Sequence, residues 1–197
     1  MSEYLVALTG ASGAVYGVRL VEELLKRGDD VELVISLSGF LILKEELRLD
    51  LGKSPAQKLK AVFGNKVKGR LTYSPSDDLL SPSASGSSLK KAMIICPCSM
   101  GTLARIASGI SGNLIERAAD CFLKERGRLI LVPRETPLNQ IHLENMLKLS
   151  RMGAVILPAM PAFYTKPEKI EDMVDFVVGK TLDTLGIENA LYKRWKK

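Results

Sequence analysis

Five short apolar runs, at residues 4–9, 31–36, 92–96, 129–133 and 154–158, limit the fold of this chain more than any other feature. Each has the length of a strand. A run that is apolar on both faces belongs inside a parallel sheet covered on both sides. Most of the runs are separated by stretches of helical periodicity, so the order predicts a parallel sheet wrapped by helices. The first helix repeats Val15, Val18, Val21 and Leu25 on one face and turns Arg19, Glu22, Glu23 and Lys26 outward, and Gly28 stops it. In the last helix Ile170, Met173 or Val174, Val177, Thr181 and Leu185 make the inner stripe, between Pro167 and Gly186. The serine- and proline-rich stretch 74–88 reads as a long loop within the domain. At 197 residues, with no internal repeat or linker, the chain is expected to form one domain, 1–197, ending in a basic tail.

Composition removes several function classes. No apolar stretch approaches the roughly 18 residues that span a bilayer, and the N-terminus lacks the basic and cleavable features of a leader. A cytoplasmic protein without a membrane span is expected. Cys96, Cys98 and Cys121 are an odd set, Cys96-Pro97-Cys98 is not a CxxC pair, and His142 is the single histidine. Buried thiols are expected rather than disulfides, and no metal site. The formal charge of +6 suits polyanions, yet the basic residues are scattered apart from Lys90-Lys91 and Lys193-Arg194-Trp195-Lys196-Lys197. Without aromatic interleaving they do not make a nucleic-acid groove. Phosphate-bearing small molecules are the better partners.

The ends of the runs carry the chemistry. Thr9-Gly10-Ala11-Ser12-Gly13 joins the first strand to the first helix, where backbone N–H groups and a helix N-terminus face an anion. Its spacing fits neither GxGxxG nor the Walker A loop, so a tight turn explains it equally well. Pro97-Cys98-Ser99-Met100-Gly101-Thr102 repeats the arrangement, with Ser99 and Thr102 as helix caps or ligand contacts. Arg117 and Lys124, seven residues apart, share one helix face and could meet one phosphate, or simply pair with neighbours such as Asp120. Arg134-Glu135 sits between Pro133 and Pro137 at another strand end. After the fifth run, Phe163 and Tyr164 are placed to form an apolar slot or a plug over the sheet, whereas His142 reads as a structural histidine.

Taken together these segments resemble the UbiX family of flavin prenyltransferases from Leu5 to Trp195. The most specific stretches are Thr9-Gly10-Ala11-Ser12-Gly13, Ser83-Ala84-Ser85-Gly86-Ser87, Pro97-Cys98-Ser99-Met100, residues 113–125, Val132-Pro133-Arg134-Glu135-Thr136-Pro137, Pro161-Ala162-Phe163-Tyr164 and Leu182-Asp183-Thr184-Leu185-Gly186-Ile187. The resemblance implies a flavodoxin-like or Rossmann-like three-layer α/β sandwich with a mostly parallel sheet. It also implies a homo-oligomer, a dodecamer, with FMN at subunit contacts. By position, Gly10, Ala11, Ser12, Ser36, Ser99, Met100, Gly101, Thr102 and Arg134 would hold FMN. Arg117, Lys124, Tyr164 and Lys180 would hold the substrate phosphate, and Ser12, Glu46, Lys124 and Glu135 would be catalytic. Position 180 is Lys where some relatives carry Arg, and position 101 is Gly where relatives often carry a longer side chain.

The implied reaction joins a dimethylallyl group from dimethylallyl phosphate to N5 and C6 of reduced FMN, without a metal, and delivers prenylated FMN to a UbiD-type decarboxylase. The flavin-dependent cysteinyl decarboxylases share the fold and a motif similar to Pro82-Ser83-Ala84-Ser85-Gly86. Their histidine base precedes that motif, and here no histidine precedes residue 142. A non-catalytic FMN-binding subunit would not require Lys124, Glu135, Tyr164 and Lys180.

Overall fold

The computed structural model describes residues 2–64 and 68–195, so Lys196 and Lys197 of the basic tail lie outside the described residues. Strands β1 (Glu3–Leu8), β2 (Asp30–Ile35), β3 (Leu71–Pro75), β4 (Ala92–Cys98), β5 (Leu129–Pro133) and β6 (Val155–Ile156) form one sheet. Its order is β3-β2-β1-β4-β5-β6, and every pairing is parallel. Helices α1 (Ala14–Arg27), α2 (Leu37–Leu47), α3 (Pro55–Phe63), α4 (Met100–Ala107), α5 (Leu114–Lys124), α6 (Gln140–Arg151) and α7 (Ile170–Thr184) cover it. Among them no helix is long and apolar enough to cross a membrane.

Strand alternation divides the interior into two cores. Tyr4, Val6 and Leu8 of β1 face one core, packed with residues of α1 and α7, while Leu5 and Ala7 face the other, packed with residues of α4 and α5. Both faces of the strand are therefore buried, which is why it reads as an unbroken apolar run. The strand order reverses beside β1: β2 lies to one side and β4 to the other. The loops leaving β1 and β4 then diverge to opposite faces and leave a crevice between them.

Three differences from the sequence reading have physical causes. β3 is an edge strand whose residues are half-exposed, so Leu71-Thr72-Tyr73-Ser74-Pro75 shows no apolar run. The expected loop 74–88 begins inside that strand and holds two short 3₁₀ turns, Pro82–Ala84 and Gly86–Ser88. The run at 154–158 yields only the two residues of β6, because it pairs on one side alone.

Gly17 shows how closely α1 lies on the sheet: a Cβ there would sit 2.1 Å from the Cys96 carbonyl oxygen and 2.9 Å from the Leu8 side chain. Alanine in an exposed helix interior normally stabilises relative to glycine by about 0.5–1 kcal/mol. Here the sign reverses. Gly17→Ala is expected to destabilise the protein by about 2 kcal/mol through overpacking, seen as a lower denaturation midpoint with an unchanged denaturant slope. An equal or raised midpoint would show that the helix can lift away without strain.

Candidate functional site

The crevice is built around Thr9, which is 1% exposed. Its Oγ1 donates to the Pro97 carbonyl at 2.9 Å and accepts from the Ser99 N–H at 2.8 Å. The ends of β1 and β4 are thereby tied together. Beside them, the Ser36 N–H donates to the Leu8 carbonyl at 3.0 Å, bringing the start of α2 to the same place. Gly10 approaches α2 so closely that a Cβ would lie 2.4 Å from the Ser38 side chain. Ser36 caps α2 by accepting from the Gly39 N–H at 3.0 Å, and Ser99 caps α4 by accepting from the Thr102 N–H at 3.2 Å. At Gly101, by contrast, an added Cβ would meet only open space.

The start of α1 differs from what the sequence suggests. Gly13 precedes it in the left-handed conformation at φ 105° and offers no side chain to cap it. Instead Glu46 reaches over from α2, its carboxylate accepting from Gly13 N–H at 2.9 and 3.1 Å and from Ala14 N–H at 2.9 Å. This helix N-terminus is thus satisfied by the protein's own carboxylate rather than offered to an anion. That leaves Gly10, Ala11 and Ser12, together with the first turn of α4, as the backbone facing the crevice.

Arg134 closes the other wall: its Nε donates to the Ser12 carbonyl at 3.0 Å. A cleft of about 330 Å³ opens there, with Ser12, Tyr16, Glu46 and Arg134 on its polar side and Ile170, Met173 and Val174 on its apolar side. Burial, reinforced by Cys96, pushes the Tyr16 phenol up, so it remains a neutral hydrogen-bonding group. A second cavity of about 240 Å³ adjoins through Arg134 and Ala159 and is lined by Glu135, Met146 and Met160.

The remaining residues singled out in the sequence lie elsewhere. α5 precedes β5, which begins at Leu129 opposite Met93, so the C-terminal end of α5 lies at the end of the sheet opposite the crevice. Lys124 stands at that end, paired with Glu125. One face of the helix also carries Arg117, which donates to the Ala84 carbonyl at 3.0 Å and to Asp120 at 2.8 Å. Tyr164 forms a third locus, edge-on to Phe176 at 5.9 Å and to Trp195 at 5.1 Å, and Lys180 lies on the same helix as Phe176. Phe163 is 71% exposed and plugs nothing. His142 joins Asn139 in the capping box of α6. The cysteines are buried, and desolvation pushes the Cys98 thiol up to about 12.

Sequence reasoning passed over Thr9, Tyr16 and Asp183 as individual residues. Thr9 is the polar residue that ends the first apolar run, and Tyr16 is an aromatic in the first turn after the glycine loop. Asp183 holds the tail. Its carboxylate accepts from Arg194 at 2.6 and 2.8 Å, from the Tyr192 hydroxyl at 2.5 Å and from Asn189 at 2.9 Å. Trp195 follows directly and rests against Tyr164.

Comparison with known proteins adds to this geometry. The Flavoprotein family model matches residues 2–182. The flavin prenyltransferase UbiX of Halalkalibacterium halodurans is 56% identical over 98% of this chain and 92% of its own length. The crystal structure of AnUbiX in complex with FMN and dimethylallyl pyrophosphate superposes with a TM-score of 0.88 at 39% identity, covering 100% of this chain and 98% of that one. A dodecameric FMN-dependent Ubix-like decarboxylase from Escherichia coli O157:H7 gives a TM-score of 0.85 at 39% identity over 99% of this chain and 100% of its own.

The tail contact makes a pH prediction. The Arg194 hydrogen bonds, helped by Tyr192 and Asn189 and opposed by burial, hold the Asp183 carboxyl down to about 2, against an ordinary value of 3.8. A depressed acid stabilises above its unfolded value and loses that contribution as the pH falls through the folded one. Trp195 is the single tryptophan, so its fluorescence anisotropy reports the tail directly. It should hold steady from neutral pH to about pH 4 and drop between about pH 4 and 2. Asp183→Asn should lower it at neutral pH with secondary structure intact. An unchanged anisotropy in that variant would show that Trp195 is held by its aromatic contacts alone.

Proposed function

The chain belongs to the UbiX family of flavin prenyltransferases, and from that premise we propose how its own residues divide the work. It is a flavin prenyltransferase, with FMN as the prenyl acceptor. The observation that carries the reading is 56% identity to such an enzyme over 98% of the chain. The donor we assign is dimethylallyl phosphate, the product prenylated FMN for a UbiD-type decarboxylase, and the setting a cytoplasmic homododecamer. The dodecameric relative supports that assembly.

The residues at the crevice suit FMN. Gly10, Ala11 and Ser12 bring backbone close, and the first N–H groups of α4, at Met100 and Gly101, have no intrahelical acceptor. Open space beside Gly101 admits a ligand against the helix start. Ser36, Ser99 and Thr102 add hydroxyls, and Arg134 adds a guanidinium held against Ser12. When bound in its reduced form, FMN supplies the nucleophilic N5 and C6 positions.

The protein's own task is the departure of phosphate from the donor. Arg117, Lys124, Lys180 and the Tyr164 hydroxyl are assigned to that oxyanion, since fixed cations in a dry pocket stabilise a leaving group far more than water does. Glu135 and Glu46 are assigned to holding or moving protons, and Ser12 to orienting the acceptor. In this arrangement Glu46 has a second duty, because its carboxylate also holds the start of α1. The separation of Lys124, at the far end of α5, from the crevice within one chain supports a site completed by a neighbouring copy. The cysteinyl decarboxylase alternative lacks its histidine, the single one being engaged in the α6 cap.

Incubation with reduced FMN and dimethylallyl phosphate should raise the mass of the extracted flavin by one prenyl group. Lys124→Ala and Glu135→Ala should bind FMN as wild type does, with Lys124→Ala turning over about a hundredfold more slowly. An unchanged flavin mass with either the phosphate or the pyrophosphate donor would sink the transferase reading, and a loss of only a fewfold would make Lys124 a surface charge.

A shared site predicts complementation. Ser12→Trp, which blocks the crevice, should be inactive, and Lys124→Ala, which removes a cation at the far end of α5, should keep about a hundredth of the activity. Dissociated, mixed and reassembled, the two should regain activity wherever both intact halves meet. Mixed oligomers no more active than either parent would overturn the shared site.

A further inference from the structure

Within the buried stretch 31–35 of β2, Glu32 is the one residue whose side chain is not apolar, and it is 6% exposed. A carboxylate in such a place is expensive unless partners replace its water. Four do so: Ser83 donates to it at 2.6 Å, Ser74 at 2.8 Å and Ser81 at 3.4 Å, and the Lys90 ammonium lies 3.6 Å away. Two of these serines open the 3₁₀ turn Pro82–Ala84, with Ser81 Oγ also accepting from the Ser83 N–H at 3.3 Å. The turn ends at Ala84, whose carbonyl accepts from Arg117 Nε at 3.0 Å and from the Cys121 thiol at 3.3 Å. One turn further on, Gly86 lies against Lys124, where a Cβ would come within 2.7 Å of Nζ.

We infer that Glu32 is a positioning residue for prenyl transfer, fixing through the Pro82–Ala84 turn the carbonyl that orients Arg117. The inference rests on the assignment of Arg117 to the donor phosphate. An apolar residue would fill β2 without any desolvation penalty, so simple packing does not account for a carboxylate here. The carboxylate does what an apolar side chain cannot: it accepts from several hydroxyls at once and so holds a serine-rich segment in a single register. Arg117 gains a fixed acceptor for its Nε, leaving Nη2, and Nη1 where an anion displaces Asp120, to turn toward that anion. Nothing in this chain of contacts touches Gly10, Ser99 or Arg134, so FMN binding should be insensitive to it.

The test measures prenylation of reduced FMN with dimethylallyl phosphate alongside FMN affinity. Glu32→Leu should lower kcat/KM for the donor about tenfold or more, chiefly through KM, with FMN affinity unchanged. Glu32→Gln, which still accepts from a serine and can donate to another, should recover much of the loss. In an Arg117→Ala background, Glu32→Leu should change the rate by no more than about twofold, because both substitutions remove the same interaction. Ser83→Ala removes the shortest contact while leaving the carboxylate in place, and it should show the same pattern if the leucine variant does not fold. Full activity in Glu32→Leu or Ser83→Ala, a loss that adds fully to that of Arg117→Ala, or a parallel loss of FMN affinity would each overturn the inference. Absence of any adduct with the wild-type protein would instead overturn the transferase reading beneath it.

Discussion

The Thr9 hydroxyl sits between two backbones, donating to the Pro97 carbonyl and accepting from the Ser99 N–H, in a place that is almost wholly buried. Parallel strands on either side of a topological switch send their loops to opposite faces, and sheet twist alone would let those loops spread. One side chain prevents that. A valine of similar shape would leave the Ser99 N–H without its acceptor, at a desolvation cost of about 1–3 kcal/mol. With the two strand ends tied, the Ser99 cap and the Gly10 loop keep a fixed separation. Arg134 then reaches Ser12 from the neighbouring strand, since its own N–H hangs on the Cys98 carbonyl at 3.4 Å.

Charge around the crevice is arranged by the same economy of backbone groups. A helix N-terminus attracts anions, and three of them, those of α1, α2 and α4, open beside the switch point. Glu46 occupies the first from within the protein, so the local field available to a ligand falls on α2, α4 and Arg134. This removes the ambiguity of the glycine loop, whose spacing matches no phosphate-binding pattern. The loop serves close backbone approach, with Gly10 against Ser38, while the helix start behind it is already neutralised.

How much of this was legible depended on the distance over which each feature is decided. The strands of the sheet centre were readable because burial on both faces writes itself into every residue, and β3 was not because an edge strand is buried on one side alone. Ser99 was readable as a cap because its acceptor geometry is complete within four residues. The Glu46 contact with Gly13 spans 33 residues and exists only once α2 has folded back on β1. Local spacing also placed Arg117 and Lys124 on one helix face correctly, yet Ala84, the acceptor of Arg117, and Gly86, which lies against Lys124, come from a loop whose two turns leave no hydrophobic signature. The family resemblance supplied candidate residues that no local pattern could have brought together.

The in-chain pairing of those cations bears on how they would act. Arg117 meets Asp120 across one helical turn, with both side chains more than a third exposed, and Lys124 meets the adjacent Glu125. Exposed pairs of this kind contribute about 0–1 kcal/mol, so a carboxylate can be exchanged for a phosphate at small expense. Under the phosphate assignment proposed above, these pairs would limit the wandering of two long side chains before the donor arrives. The backbone contact from Arg117 to Ala84 need not be broken in such an exchange, because it uses Nε while the pair with Asp120 uses Nη1. A cation held at one edge and loosely countered at the other would already be oriented if an anion displaced its carboxylate, and orientation set in advance is what makes fixed charge effective on a leaving group.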